Sequence, residues 1–166
     1  MEEIVNRVAK SKVEQIDLED FYPKNPFVTV DISQWLFEGL LLKEKEFRQS
    51  LNDYDWGQHQ NQFVSIICSA DAIVPSWAFL LVGLHLQPFA QKVVYGTMEE
   101  LKSSVWEEII CQIPLEKYKN KRVVVKGCGK KTIPLNAYVQ FTNRLKTMAK
   151  AILFGEICSA VPLFKK

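Results

Sequence analysis

Apolar residues in the second half of this chain fall into short continuous runs separated by longer stretches with helical spacing, and the pattern occurs twice. FVSIICSADAIVPSWAFLLVGLHLQPFAQKVVYG (residues 63–96) lies without gaps over RVVVKGCGKKTIPLNAYVQFTNRLKTMAKAILFG (residues 122–155), at a constant offset of 59. Val64 falls on Val123, Pro75 on Pro134, Ala78 on Ala137, Leu86 on Leu145, Ala90 on Ala149 and Gly96 on Gly155. Each copy reads as a short β-rich run, a loop, a proline suited to a first helical turn, a helix of about four turns, and a second β-rich run ending in aromatic-Gly. The runs VSIIC, KVVYG, RVVVKG and AILFGE suit strands buried on both faces.

Between the copies, TMEELKSSVWEEIICQIP predicts a helix. Thr97 stands three residues before Glu100 as a capping box, acids crowd the first turn, and Pro114 closes the end. Strands alternating with helices at this spacing predict an α/β fold with a mainly parallel sheet built from the two strand-helix-strand repeats. The first third adds VEQIDL and FVTVDI, a strand pair at a sheet edge or in a hairpin. SQWLFEGLLLKEKEFRQSL follows as one helix or two, with Gly39 as its weak point. The polar loop NDYDWGQHQNQ leads into the first repeat, and its Trp56 is expected to pack down on the domain.

Length and composition narrow the class. The 166 residues carry no Gly/Pro/Ser-rich linker, so the expectation is a single α/β domain, with an N-terminal subregion 1–62 and a repeat-containing core 63–166. Hydrophobic residues at 48% and charged residues at 24% are ordinary for a globular protein. The start MEEIVNRVAKSK has no secretory core and the helix after Pro75 is too short to span a bilayer, so the expected place is the cytoplasm, with no membrane contact. A net charge of +2 gives no large basic face for nucleic acid. In a reducing compartment the four cysteines are thiols or metal ligands and not a disulfide framework.

Three of those cysteines carry the candidate chemistry. In parallel α/β sheets the loops leaving the C-terminal strand ends line the ligand crevice. Cys68, Cys128 and Cys158 each follow a predicted strand, so in one sheet they would leave the same edge. They could then hold zinc or an iron–sulfur cluster, with the remaining position open to Asp71, His59, water or a substrate. No C-x-x-C supports this, and free cysteines are commonly buried, so small packed side chains under helix N-termini are the competing reading. Cys68, Asp71 and Cys128 are also the candidates for a reactive thiol with an assisting acid. Asp71 serves equally well as a helix cap. Gly127, Gly129 and Lys130 in KGCGKK are the candidates for cradling a small anion with backbone N–H groups. Cys111 sits on the apolar stripe of the intervening helix and reads as core; His85 reads as a packed or surface histidine.

The blocks EIVNRVA, DISQWLFEGLLLKEKEFR, DYDW, CSADAIVPSWAF, VVVKGCG and CSAVPLFK together resemble a bacterial family catalogued as domain of unknown function 2480, over essentially the whole chain. The resemblance implies no activity. Through gene neighbourhood it implies iron–sulfur assembly proteins as partners. Three expectations therefore stand together: a metal or iron–sulfur protein using Cys68, Cys128 and Cys158; an enzyme or binding protein for a small anionic ligand; and an interaction module whose cysteines only pack. The apolar segment LLVGLHLQPF is either core or the interface of a homo-oligomer.

Overall fold

The computed structural model describes residues 13–127 and 129–166. Cys128 and the EIVNRVA block lie outside the described residues. In chain order the described elements are β1 (Val13–Ile16), β2 (Phe27–Asp31), α1 (Glu44–Asp53), β3 (Phe63–Ile67), α2 (Ser76–Leu86), β4 (Lys92–Tyr95), α3 (Met98–Gln112), β5 (Arg122–Val125), α4 (Leu135–Lys146), β6 (Ala151–Phe154) and β7 (Val161–Lys165), with short 3-10 turns between them. The α/β class read from the periodicity is the class observed.

The strands form two sheets and not the one expected. One has the order β2-β3-β4 and is parallel throughout; the other has the order β1-β5-β6-β7 and is parallel except for β7. VEQIDL and FVTVDI accordingly do not pair with each other. β1 runs beside β5 with Ile16 opposite Val125, and β2 beside β3 with Val30 opposite Ile66. Each repeat thus takes a third strand of its own from the N-terminal region. The chain divides in the same way into two compact units, one being Pro23–Trp106 and the other containing β1 together with Glu107–Lys166. The first of these is inserted, in sequence, between β1 and the rest of the second.

The duplication extends to individual hydrogen bonds. Asn61 N–H donates to the Phe89 carbonyl and Asn120 N–H to that of Met148, both at 2.9 Å, and both asparagines have positive φ (59° and 58°). Gly96 N–H donates to the Ile66 carbonyl at 3.1 Å, and Gly155 N–H to the Val125 carbonyl at 2.9 Å. Aromatic pairs repeat as well: Phe79 with Tyr95 at 4.7 Å between centroids, Tyr138 with Phe154 at 5.5 Å. Every one of these pairs is related by the offset of 59 read from the sequence.

The stretch around Gly39 shows why only the later part of SQWLFEGLLLKEKEFRQSL is an α-helix. A 3-10 turn, Ile32–Trp35, is capped by Asp31; Glu38 and Gly39 then take φ of 51° and 69°, Phe37 bridges to Leu41, and α1 starts only at Glu44. A left-handed residue cannot continue an α-helix. The α3 capping box forms as read: Thr97 N–H donates to Glu100 Oε2 at 2.6 Å, and Glu100 N–H to Thr97 Oγ1 at 3.2 Å. At the other end of α3, the Arg144 guanidinium donates to the carbonyls of Ile110 and Ile113, the first of which also accepts the Ile113 N–H. Cores follow the repeat. Phe47, Leu51, Val64, Ile66, Val82 and Leu86 are buried in the Pro23–Trp106 unit, and Ile110, Val123, Val125, Phe141 and Leu145 in the other.

Trp56 packs, as expected: it is buried, and its indole N–H donates to the Leu51 carbonyl at 2.7 Å. Cys111 does not. It is exposed on α3, so its core reading is corrected. The stripe that α3 buries is set instead by Leu101, Val105, Trp106 and Ile110.

Candidate functional site

The C-terminal strand ends are where an open α/β sheet gathers polar groups. In the Pro23–Trp106 unit that edge is organised by Asp31, the last residue of β2, which the sequence reading passed over. Its Oδ1 accepts the backbone N–H of Ser33 at 3.0 Å and of Ser69 at 3.1 Å, and the Ser33 and Ser69 hydroxyls lie 3.3 Å apart. Burial pushes the Asp31 carboxyl up, but hydrogen bonds from Ser69 and Ser33 together outweigh it and hold the group below its ordinary value. The other unit has the counterpart: Asp17 follows β1, accepts the Glu19 N–H at 2.9 Å and pairs with Lys126 at 3.4 Å. A strand ending in I/V-D-L/I, where the aspartate caps a 3-10 turn, is the sequence signal that both share.

Asp31→Ala is expected to cost about 1–2 kcal/mol, the range for a lost cap that leaves backbone donors unpaired, with Asp31→Asn costing less. Urea midpoints for the two variants check this. The sign with pH follows from the lowered value. The contribution is present above the ordinary carboxylate range near about 4 and fades as pH falls through the folded-state value, so the gap between wild type and Asp31→Ala should shrink in acid.

Cys68 is half-buried at the end of β3, packs against the core, and its thiol lies 3.7 Å from the Ala70 carbonyl. Asp71 is exposed in the loop that follows. It does not cap α2, whose N-cap is Pro75 with no side-chain hydrogen bond. Cys158 is exposed after β6, in the other sheet. His59 lies before β3 while Cys68 lies after it, so the strand's length, roughly 3.3 Å per residue, stands between them. His59 is also engaged: Nε2 lies 3.0 Å from the Tyr54 hydroxyl and Nδ1 3.0 Å from Gln62 Oε1. His85 stacks on Trp56, with ring centroids 5.1 Å apart. Among the described residues no three His, Cys, Asp or Glu side chains gather as a metal-binding group.

The KGCGKK loop is held by its own chain. Glu19 Oε1 accepts the Lys131 N–H at 2.6 Å and leaves no room for a Cβ at Gly129, while the Phe154 ring lies against Gly127. Lys130 is exposed beside them.

The feature that sequence reading located without resolving is α2. SWAFLLVGLHL is apolar all round, the pattern of a helix with something on every side. Ala78, Val82 and Leu86 are buried on the sheet, whereas Leu80 and Leu84 are 68% and 70% exposed. With Val93 and the 69% exposed Tyr95 of β4 they wall a groove of about 730 Å³. Lys92 is the groove's one charged residue. Its ammonium donates to the Ser104 carbonyl at 3.3 Å. Among the described residues β4 pairs with β3 alone, whereas its counterpart β6 pairs with β5 on one side and with antiparallel β7 on the other. Leu84 corresponds to Asn143 of α4, so the two helices differ on this face by the loss of a polar side chain.

No helix among the described residues is long and apolar enough to cross a membrane. No curated protein and no solved structure matches the chain. Repeat, strand ends and cysteine blocks all fall within one match, covering residues 2–166, and the chain belongs to that family, described as Protein of unknown function (DUF2480).

Proposed function

We propose that this chain is an interaction module that binds a polypeptide at the α2–β4 groove of the Pro23–Trp106 unit. The observation that carries this reading is a strand edge with which no described strand pairs, flanked by exposed Leu80, Leu84 and Tyr95, where the duplicate unit has its edge paired by β7. Contiguous exposed apolar side chains mark interaction sites, and open edges accept an added strand. Carriage of a metal or iron–sulfur cluster through Cys68, Cys128 and Cys158 loses the premise of a single sheet edge, since Cys68 and Cys158 follow strands of different sheets. The small-anion reading loses weight because Glu19 already occupies the Lys131 N–H of the KGCGKK loop.

Benzoylphenylalanine in place of Leu84 is expected, on irradiation of cells making the chain, to form a covalent adduct with a polypeptide. The same probe at exposed Lys119, in the other unit, is the control. Equal background labelling at both positions overturns the reading.

A further inference from the structure

Resting on that reading, we infer that the occupant of the groove is a second copy of this chain, joined by antiparallel pairing of the two β4 strands. The duplicate unit supplies the orientation, since β7 runs antiparallel along β6 with Ile152 opposite Phe164 and Phe154 opposite Val161. No described segment plays this part for β4.

The edge is self-complementary. A two-fold axis normal to the sheet keeps both α2 helices on one face and brings side chains of like face opposite each other. Centred on Val94, it sets Val93 against the second copy's Tyr95 and Tyr95 against its Val93. Both of these residues line the groove with α2, and aromatic against β-branched is a favourable cross-strand combination. Lys92 then faces Gly96 of the second copy, so the lone cation of each groove meets no like charge. The exposed leucines of the two α2 helices face one another across the axis, each filling the other's groove.

The devices that keep strand edges apart are weak here. β7, the outer strand of the other sheet, carries Pro162 and Lys165, whereas KVVY has one lysine, already engaged with Ser104, and no proline. The size is adequate too. Three side chains about two-thirds exposed on each copy, together with the paired strand backbones, remove on the order of 1,000 Å² from water, the lower bound for a specific interface.

The full chain at tens of micromolar is expected to sediment at twice 19.1 kDa. Leu80→Glu, which places two carboxylates face to face at an exposed position, is expected to give a monomer with an unchanged far-UV spectrum. The adduct formed by benzoylphenylalanine at position 84 is expected to be a homodimer linked within residues 76–96. A monomeric wild type overturns the inference, as does a dimer that survives Leu80→Glu. An adduct to a different protein, or within one chain to residues 1–12, overturns it while leaving the groove a binding site. Absence of any adduct removes both.

Discussion

Replacing Phe47 with Ala is expected to destabilise the protein by about 3–5 kcal/mol, the range for emptying a fully buried aromatic site. Phe47 is 0% exposed on α1 and lies edge-to-face with two indoles, Trp35 at 6.2 Å and 80° and Trp77 at 5.9 Å and 83°. Edge-to-face geometry adds to the area term, and the rigid indoles on either side leave little scope for collapse into the space. All four tryptophans, Trp35, Trp56, Trp77 and Trp106, fall within Pro23–Trp106. Indole fluorescence in a urea titration therefore reports on the unit that holds the lesion. Leu40→Ala, at a 64% exposed position, should stay within about 0.5 kcal/mol. A Phe47→Ala loss no larger than that control would mean that α1 does not anchor this core.

Gly96→Ala is expected to cost about 2–4 kcal/mol, and more than the same change at its repeat counterpart Gly155. Both glycines end the second strand of a repeat at positive φ, 147° and 119°, a region that side chains rarely enter. At Gly155 the nearest atom to an added Cβ is the Ala160 Cα at 3.5 Å, ordinary contact, so backbone strain is the main cost. At Gly96 the added methyl would stand 2.5 Å from Glu100 Oε2 and 3.3 Å from the Glu100 Cβ. The carboxylate that closes the α3 capping box must then move, and its bonds to Thr97 go with it. Parallel denaturation of the two variants checks the ordering. Equal losses would show that the capping box contributes nothing beyond the local strain.

The repeat was legible because its markers act locally. Pro75 and Pro134 open helices, Gly96 and Gly155 close strands, and each depends on its own backbone conformation more than on distant partners. The break at Gly39 was legible for the same reason. The destination of VEQIDL and FVTVDI was not, since a strand's partner is a non-local choice and both segments present the same apolar run ending in aspartate. β7 escaped because CSAVPLFK is short, carries a proline, and becomes a strand only through β6 beside it. Asp31 escaped because its meaning lies in Ser69, 38 residues away.

For the candidate site, the lost premise of the cysteine expectation and the proposed groove share a cause. Placing Cys68 and Cys158 at strand C-terminal ends was sound as local reading, but their convergence assumed one sheet, and hydrogen bonding sorted the strands into two. The same sorting left β4 as an edge and turned an ambiguously apolar helix into one with a buried face and an exposed one. By itself the sequence determined the α/β class, the duplicated strand-helix-strand unit, and the caps and turns that punctuate it, all set by short-range sterics and hydrogen bonding. Only the tertiary structure decided which strands share a sheet, which edge no described strand pairs and which leucines face outward, because those depend on partners the chain brings together from far apart along its length.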